Sequence, residues 1–145
     1  MSTCDFIFIE PESDNMLSNS FNVKNMLYLK AQKSSAESKN FLLSVFFSSA
    51  VPALVEHLIK EDSLRGILAD IVTKNKISLV KVSFDGGFVF IPTESILYTR
   101  DISDESSIAS GIVLKNSFVI KTSDKINMKN INSVIVDYLS IDKII

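Results

Sequence analysis

The sequence predicts an α+β fold. It reads as two similar β-rich halves, residues 1–75 and 76–145, each a set of antiparallel strands followed by helix. The halves are expected to be related by a pseudo-twofold within a single compact unit. Three observations lead there: a clear hairpin in the middle of the chain, short strings that recur, and apolar stripes at helical spacing after the strands.

The hairpin lies in Ile77 to Arg100. Val80, Val82 and Phe84 alternate with Lys81 and Ser83, the period of a strand with one buried face. Asp85-Gly86-Gly87 follows, and glycine supplies the positive φ of a tight turn. Phe88 to Ile91 runs back, and Pro92 stops the ladder because it has no N–H. Ile96 to Arg100 reads as a third strand.

The recurring strings are spaced by about 70 residues, longer than a solenoid period. Met26-Leu27-Tyr28-Leu29-Lys30 aligns with Ile96-Leu97-Tyr98-Thr99-Arg100. Phe6 to Ile9 aligns with Lys76 to Leu79, and Ile67 to Ile77 with Val134 to Ile144. Ser44 to Ser49 resembles Ser117 to Thr122.

In the first half, Asp5 to Glu10 and Phe21 to Lys30 read as strands, with an acidic loop from Pro11 to Asn19. Ala31 to Asn40 has loop composition, and Phe41 to Phe47 favours β. Ser48 or Ser49 is placed to cap a helix near Pro52, with Leu54, Val55, Leu58 and Ile59 on one stripe. Asp62 or Ser63 is placed to cap a second helix, with Leu64, Ile67, Leu68 and Ile71 on its apolar side and Asn75 near its end.

In the second half, Asp101 to Ser110 reads as an acidic, serine-rich loop. Gly111 to Leu114 and Phe118 to Lys121 read as strands joined near Lys115-Asn116-Ser117. Ser123 or Asp124 is expected to cap a helix bearing Met128, Ile131, Ile135 and Tyr138 or Leu139. A final strand from Val134 to Leu139 is the rival reading. Ile141, Ile144 and Ile145 leave an apolar C-terminus that is expected to dock onto a protein surface.

Composition narrows the function classes. The chain of 145 residues has a net charge of −2, so bulk attraction to nucleic acid or to an anionic membrane is not expected. Phe41 to Ile59 is interrupted by serines, Pro52, Glu56 and His57 and is too short to span a bilayer. Asp5, Glu10 and Glu12 sit where a secretion signal would need a basic start and an apolar run. Cys4 is the single cysteine, so no intrachain disulfide forms. Abundant Ile, Asn, Lys and Ser with few Gly and Pro indicate AT-rich coding, as in a low-GC bacterium or a phage.

Motifs for chemistry are missing. One histidine, His57, and one distant cysteine do not make a zinc site. Gly86-Gly87 lacks the Lys-Ser/Thr of a phosphate loop. The acidic groups at Glu10, Glu12, Asp14 and at Asp101, Asp104, Glu105 lack the alternation and glycine of a calcium loop. No cofactor, metal or catalytic residue is expected.

The lysines fall in two windows: Lys24, Lys30, Lys33 and Lys39, and Lys115, Lys121, Lys125 and Lys129. A twofold arrangement would join them into a basic strip beside Tyr28, Phe41, Tyr98 and Phe118, as single-stranded nucleic-acid binding requires. Strands followed by helix, twice, is also similar to the layout of the Whirly and PUR-repeat single-strand binders, though no site residue carries over. The leading expectation is a non-enzymatic interaction or assembly protein in the cytoplasm of a bacterial or infected cell, or in a virion. Its partner would be a second copy or another protein, docked through Ile141, Ile144 and Ile145 or a strand edge, with no membrane association. Single-stranded nucleic-acid binding is the alternative.

Overall fold

The computed structural model describes residues 6–9, 19–33, 35, 39–48, 54–84, 86–104, 107–127 and 129–136. Among these, eleven strands form three sheets, and the single α-helix is α1 (Glu61–Ala69), continued by a π turn at Asp70–Lys74. The expected α+β class is therefore corrected: the fold is mostly β, without a helix closing each half.

The first half opens with the antiparallel pair β1 (Phe6–Ile9) and β2 (Asn19–Asn22). A 3-10 turn, Val23–Asn25, leads into the meander β3 (Met26–Lys33), β4 (Asn40–Phe47) and β5 (Leu54–Lys60). The second half opens with the pair β6 (Leu79–Phe84) and β7 (Gly87–Pro92). A 3-10 turn, Thr93–Ser95, leads into the meander β8 (Ile96–Asp104), β9 (Ser107–Leu114) and β10 (Val119–Thr122). The same succession of pairings thus occurs twice. Each meander starts with a register shift at the same place, between Met26 and Tyr28 and between Ile96 and Tyr98. The pairing also corrects the alignment of the first strands. Phe6 lies opposite Asn22 as Leu79 lies opposite Pro92, so Phe6 corresponds to Leu79 rather than to Lys76.

Strand β7 joins the halves by pairing with β3, from Leu29 opposite Phe90 to Gln32 opposite Gly87. The result is a six-stranded sheet in the order β11-β6-β7-β3-β4-β5, where β11 is Ile135–Val136. Gly87 permits the close approach: a Cβ there would collide with the Ala31 carbonyl and lie 2.9 Å from Gln32 Cα. At the turn, Gly86 takes φ +93°, a region that glycine enters without steric cost.

The six-stranded sheet is the middle layer, because successive side chains alternate between two cores. On one face Leu29, Phe41, Leu43 and Phe90 pack with Leu64, Leu68 and Ile71 of the helical segment and with Ile7 and Ile9. On the other, Val80, Val82 and Ile91 pack against Ile112, Leu114 and Ile120 of the three-stranded sheet.

Three further expectations change. The helix expected over Leu54, Val55, Leu58 and Ile59 is strand β5. Within it His57 and Ile59 are buried while Glu56 and Lys60 are exposed, a period of two, and the strand pairs with β4 throughout. The helix that follows does bury Leu64, Ile67, Leu68 and Ile71, but neither Asp62 nor Ser63 is its cap. Lys60 holds that position without a side-chain bond, and the Glu61 N–H donates to the Lys39 carbonyl at 3.0 Å. The acidic loop expected at Asp101 to Ser110 is largely strand, since β8 runs to Asp104 and β9 starts at Ser107.

The helix expected after Asp124 is absent among the described residues. Asparagines compete for the backbone there. Asn127 Oδ1 accepts from the Lys129 and Asn130 N–H groups at 2.8 and 3.2 Å, and Asn130 Oδ1 accepts from the Asn127 N–H at 2.8 Å. These bonds divert the donors a helix would use. The chain then forms a 3-10 turn, Ile131–Val134, and β11 on the edge of β6. The twice-repeated strand-then-helix layout therefore does not hold, and with it goes the topological likeness to the Whirly and PUR-repeat binders.

Candidate functional site

Two surface features stand out, and both are built from segments that correspond between the two halves. The first is the outer edge of β8. In the first half the corresponding strand, β3, has β4 on one side and β7 on the other. In the second half β8 has β9 on one side and no strand on the other among the described residues. At nine residues it is also the longest described strand. Leu97 is 56% exposed and Tyr98 is 48% exposed at its start. Strand β5, at one end of the six-stranded sheet, is also an edge and exposes Glu56 and Lys60.

Tyr98, Arg100 and Lys121 share the solvent face of this three-stranded sheet. Arg100 lies opposite Gly111, and Gly111 lies opposite Lys121, so both cations flank one glycine. Both are exposed. Ile102 folds over the gap, its Cδ1 standing 2.7 Å from where a Gly111 Cβ would be.

The second feature is a cleft of about 330 Å³ where the two 3-10 turns meet. Lys24 and Glu94 come from the turns themselves, at corresponding positions. Lys115 comes from the β9–β10 turn and Lys76 from the segment between the helix and β6. Ser48 donates its N–H to the Asn25 carbonyl and Lys115 donates its N–H to the Ser95 carbonyl, both at 3.0 Å. Those two bonds fix the walls in the same way on each side. Val23, Met26 and Pro92 give the cleft a buried apolar floor.

Lys76 reaches this cleft through the way the helical segment ends. The Asn75 N–H donates to the Asp70 carbonyl at 3.0 Å and the Ile77 N–H to the Ile71 carbonyl at 3.1 Å. Between them Lys76 takes φ +54°, the left-handed conformation in which helix ends favour glycine. Nothing in the sequence marks Lys76 for this conformation, since a lysine stands where glycine is favoured.

The structure separates the other expected site residues. Lys24 and Lys115, one from each window, share the cleft. Lys33 and Lys39 lie at the far end of β3 and β4, roughly 25 Å from Lys24 at a strand rise near 3.3 Å per residue. Lys30 rests over the Phe84 ring, with Nζ 5.0 Å from its centroid. Lys121 lies on the sheet face just described, and Lys125 and Lys129 are exposed in the asparagine-rich segment beyond it.

The aromatics are also divided. Phe41 is fully buried. Tyr28 stacks between Phe46 at 4.4 Å and Phe118 at 5.7 Å, so its ring faces are already taken. Burial raises its phenol above the usual value. Burial lowers the Lys81 ammonium, whose Nζ sits 4.5 Å over the Phe88 ring. His57 is buried in β5, its Nδ1 3.4 Å from the Leu58 carbonyl. Ile141, Ile144 and Ile145 lie outside the described residues.

Among the described residues no group of three or more His, Cys, Asp or Glu side chains is placed to hold a metal ion. No described helix is long and apolar enough to cross a membrane. No protein-family model, curated protein or solved structure matches the chain.

Proposed function

We propose that the chain is a non-enzymatic assembly protein that joins a second copy of itself along the open edge of β8. The supporting observation is the contrast between β3, whose edge is filled by β7, and β8, whose outer edge has no strand among the described residues and carries exposed Leu97 and Tyr98.

The strand is suited to pairing with itself. In a twofold antiparallel pair, facing residues lie on the same side of the sheet, so the centre must fall on a residue. Centring on Arg100 or Asp101 sets like charges opposite each other, which is destabilising. Centring on Thr99 pairs threonine with threonine and sets Tyr98 opposite Arg100 of the second copy, twice. Guanidinium over a phenol ring is a favourable contact. The three-stranded sheet would then continue into its copy as six strands.

Light scattering or sedimentation tests this. A concentration-dependent dimer is expected, converted to monomer by Leu97→Lys with Tyr98→Lys, because lysines block edge addition. The exchange Tyr98→Arg with Arg100→Tyr keeps the cross-strand pair and should keep the dimer. A wild type that stays monomeric at high concentration, or a dimer indifferent to the lysine pair, would refute the reading.

One observation favours a second reading. Arg100 and Lys121 flank Gly111 on a sheet face that also exposes Tyr98, and cations beside an exposed ring are what single-strand binders present. Fluorescence anisotropy with labelled single-stranded DNA and RNA at two salt concentrations separates the readings. Salt-sensitive binding lost in Arg100→Glu with Lys121→Glu would support it; absence of binding at low salt would remove it.

A further inference from the structure

We infer that the groove between β1 and α1 is a docking site for an extended segment of a partner protein, one that carries an apolar side chain between two lysines or arginines. The site uses none of the β8 residues and does not depend on the dimer proposed there.

Strand β1 reads Phe-Ile-Phe-Ile. Ile7 and Ile9 are buried in the core, which leaves Phe6 and Phe8 on the outer face, 60% and 57% exposed. A strand with one covered face ordinarily carries polar residues on the other, and a continuous apolar run is the pattern of a strand covered on both. The corresponding face in the second half is covered: Leu79, the counterpart of Phe6, is fully buried in the core that includes Leu64 and Leu68.

The helix supplies room for the occupant. Gly66 lies in the interior of α1, where glycine is less favourable than alanine. A Cβ there would meet nothing within 4 Å, so the packing of the fold does not require the glycine. Its missing side chain leaves space in a groove of about 540 Å³ whose other wall carries Phe8.

Charge and spacing give the class of partner. Asp62 and Asp70 line the same groove, four residues before and after Gly66. One turn each way sets them on one side of the helical segment, roughly 12 Å apart at a rise of ~1.5 Å per residue. None of the described residues lining the groove is cationic. Each carboxylate does pair along the helix at 3.4 Å, Asp62 with Arg65 and Asp70 with Lys74. Exposed pairs of this kind contribute little, so both carboxylates can take a second cation. In an extended chain, residues two apart share a face and residues four apart span about 13 Å. A segment of the pattern Lys-x-Phe-x-Lys, or its arginine and leucine equivalents, therefore sets its cations at Asp62 and Asp70. Its apolar side chain falls over Gly66, against the Phe8 ring.

Fluorescence anisotropy on the full chain tests the site, with the labelled, end-capped peptide Gly-Lys-Ser-Phe-Ser-Lys-Gly as the probe. Binding that weakens with salt is expected. The peptide with glutamate in place of both lysines should bind about tenfold more weakly, and so should the one with serine in place of phenylalanine. Asp62→Asn with Asp70→Asn should weaken the lysine peptide about tenfold and flatten its salt dependence, the scale of two exposed charge contacts. Gly66→Leu fills the groove from an open helix position. It should abolish peptide binding while the thermal midpoint holds or rises, because leucine is the better helix former. Phe8→Ser, at an exposed ring, is the second variant and should weaken binding about tenfold in a folded chain. Absence of peptide binding at low salt, affinity unchanged in Gly66→Leu, or equal binding of the lysine and glutamate peptides would overturn the assignment. So would self-association that is lost in Gly66→Leu, because the occupant of the groove would then be a second copy of the chain.

Discussion

Strands β3 and β8 follow the same kind of 3-10 turn, start with the same register shift and lead a three-stranded meander. Their surroundings differ. β3 lies inside a six-stranded sheet with both neighbours in place, and β8 ends a sheet of three. Tyr28 is 7% exposed and Tyr98, at the corresponding position, is 48% exposed. Similar local sequence therefore gave the same backbone, while the neighbouring strand decided whether the tyrosine became core or surface. Among the described residues, β8 therefore keeps an unpaired edge where β3 has none.

The largest test breaks the filled edge. Phe90 faces Leu29 across the β3–β7 seam and is fully buried. Phe90→Ala should cost about 3–5 kcal/mol, the range for deleting a buried aromatic side chain. Denaturant unfolding reads it, and a loss below about 1 kcal/mol would mean the seam is not the joint between the halves. Gly87→Ala attacks the same seam through the backbone, since its Cβ meets the Ala31 carbonyl and Gln32 Cα. About 1–3 kcal/mol is expected, as for other overpacked sites.

Part of this contrast was legible in the sequence. Alternation at Val80, Val82 and Phe84, with glycine at the turn, located β6 and β7. The string at Met26 and its counterpart at Ile96 marked two strands that do start alike. The helical stripe of Leu64, Ile67, Leu68 and Ile71 was also correctly read. What failed was local ambiguity. Leu54, Val55, Leu58 and Ile59 fit a helix by spacing, and only pairing with β4 makes them a strand. Ile131 and Ile135 fit a stripe too, but the side chains of Asn127 and Asn130 take the backbone donors first. The lysine windows misled for another reason. Spacing along the chain says nothing about which end of a strand a residue occupies, so Lys24 and Lys33 read as neighbours. Lys76 was overlooked because its backbone conformation cannot be seen in a sequence.

Substitutions at the exposed surface have smaller effects on stability. Leu97→Lys with Tyr98→Lys changes an exposed edge, so unfolding free energy should move by no more than about 0.5 kcal/mol per substitution. A large stability loss on diluted, monomeric protein would show that these side chains support the fold rather than face a partner. Lys76→Gly relieves a left-handed non-glycine residue and should stabilise by up to about 1 kcal/mol, as measured by thermal or denaturant unfolding. Destabilisation would indicate that the Lys76 side chain makes a contact the fold needs.

The finest probe compares the two tyrosines directly. Tyr28 is buried between Phe46 and Phe118, and burial raises its phenol above the usual value of 10.0. A raised acid is held neutral by the folded chain. Its contribution to stability is complete below the unfolded value, then falls as pH rises, because the unfolded chain ionises first. The loss ends once pH passes the folded value. Lys81 acts with the opposite sign: burial lowers its ammonium from 10.5, so stability is gained as pH rises through that window. Comparing wild type with Tyr28→Phe cancels the lysine and isolates the phenol. Wild type should lose more stability than the variant between pH 10 and higher alkaline values. Its phenolate absorbance should also show a late step that the variant lacks. Parallel alkaline losses in the two proteins would mean that Tyr28 is as open to solvent as an edge residue, and the distinction between the filled and the open strand would disappear at the position where it is most pronounced.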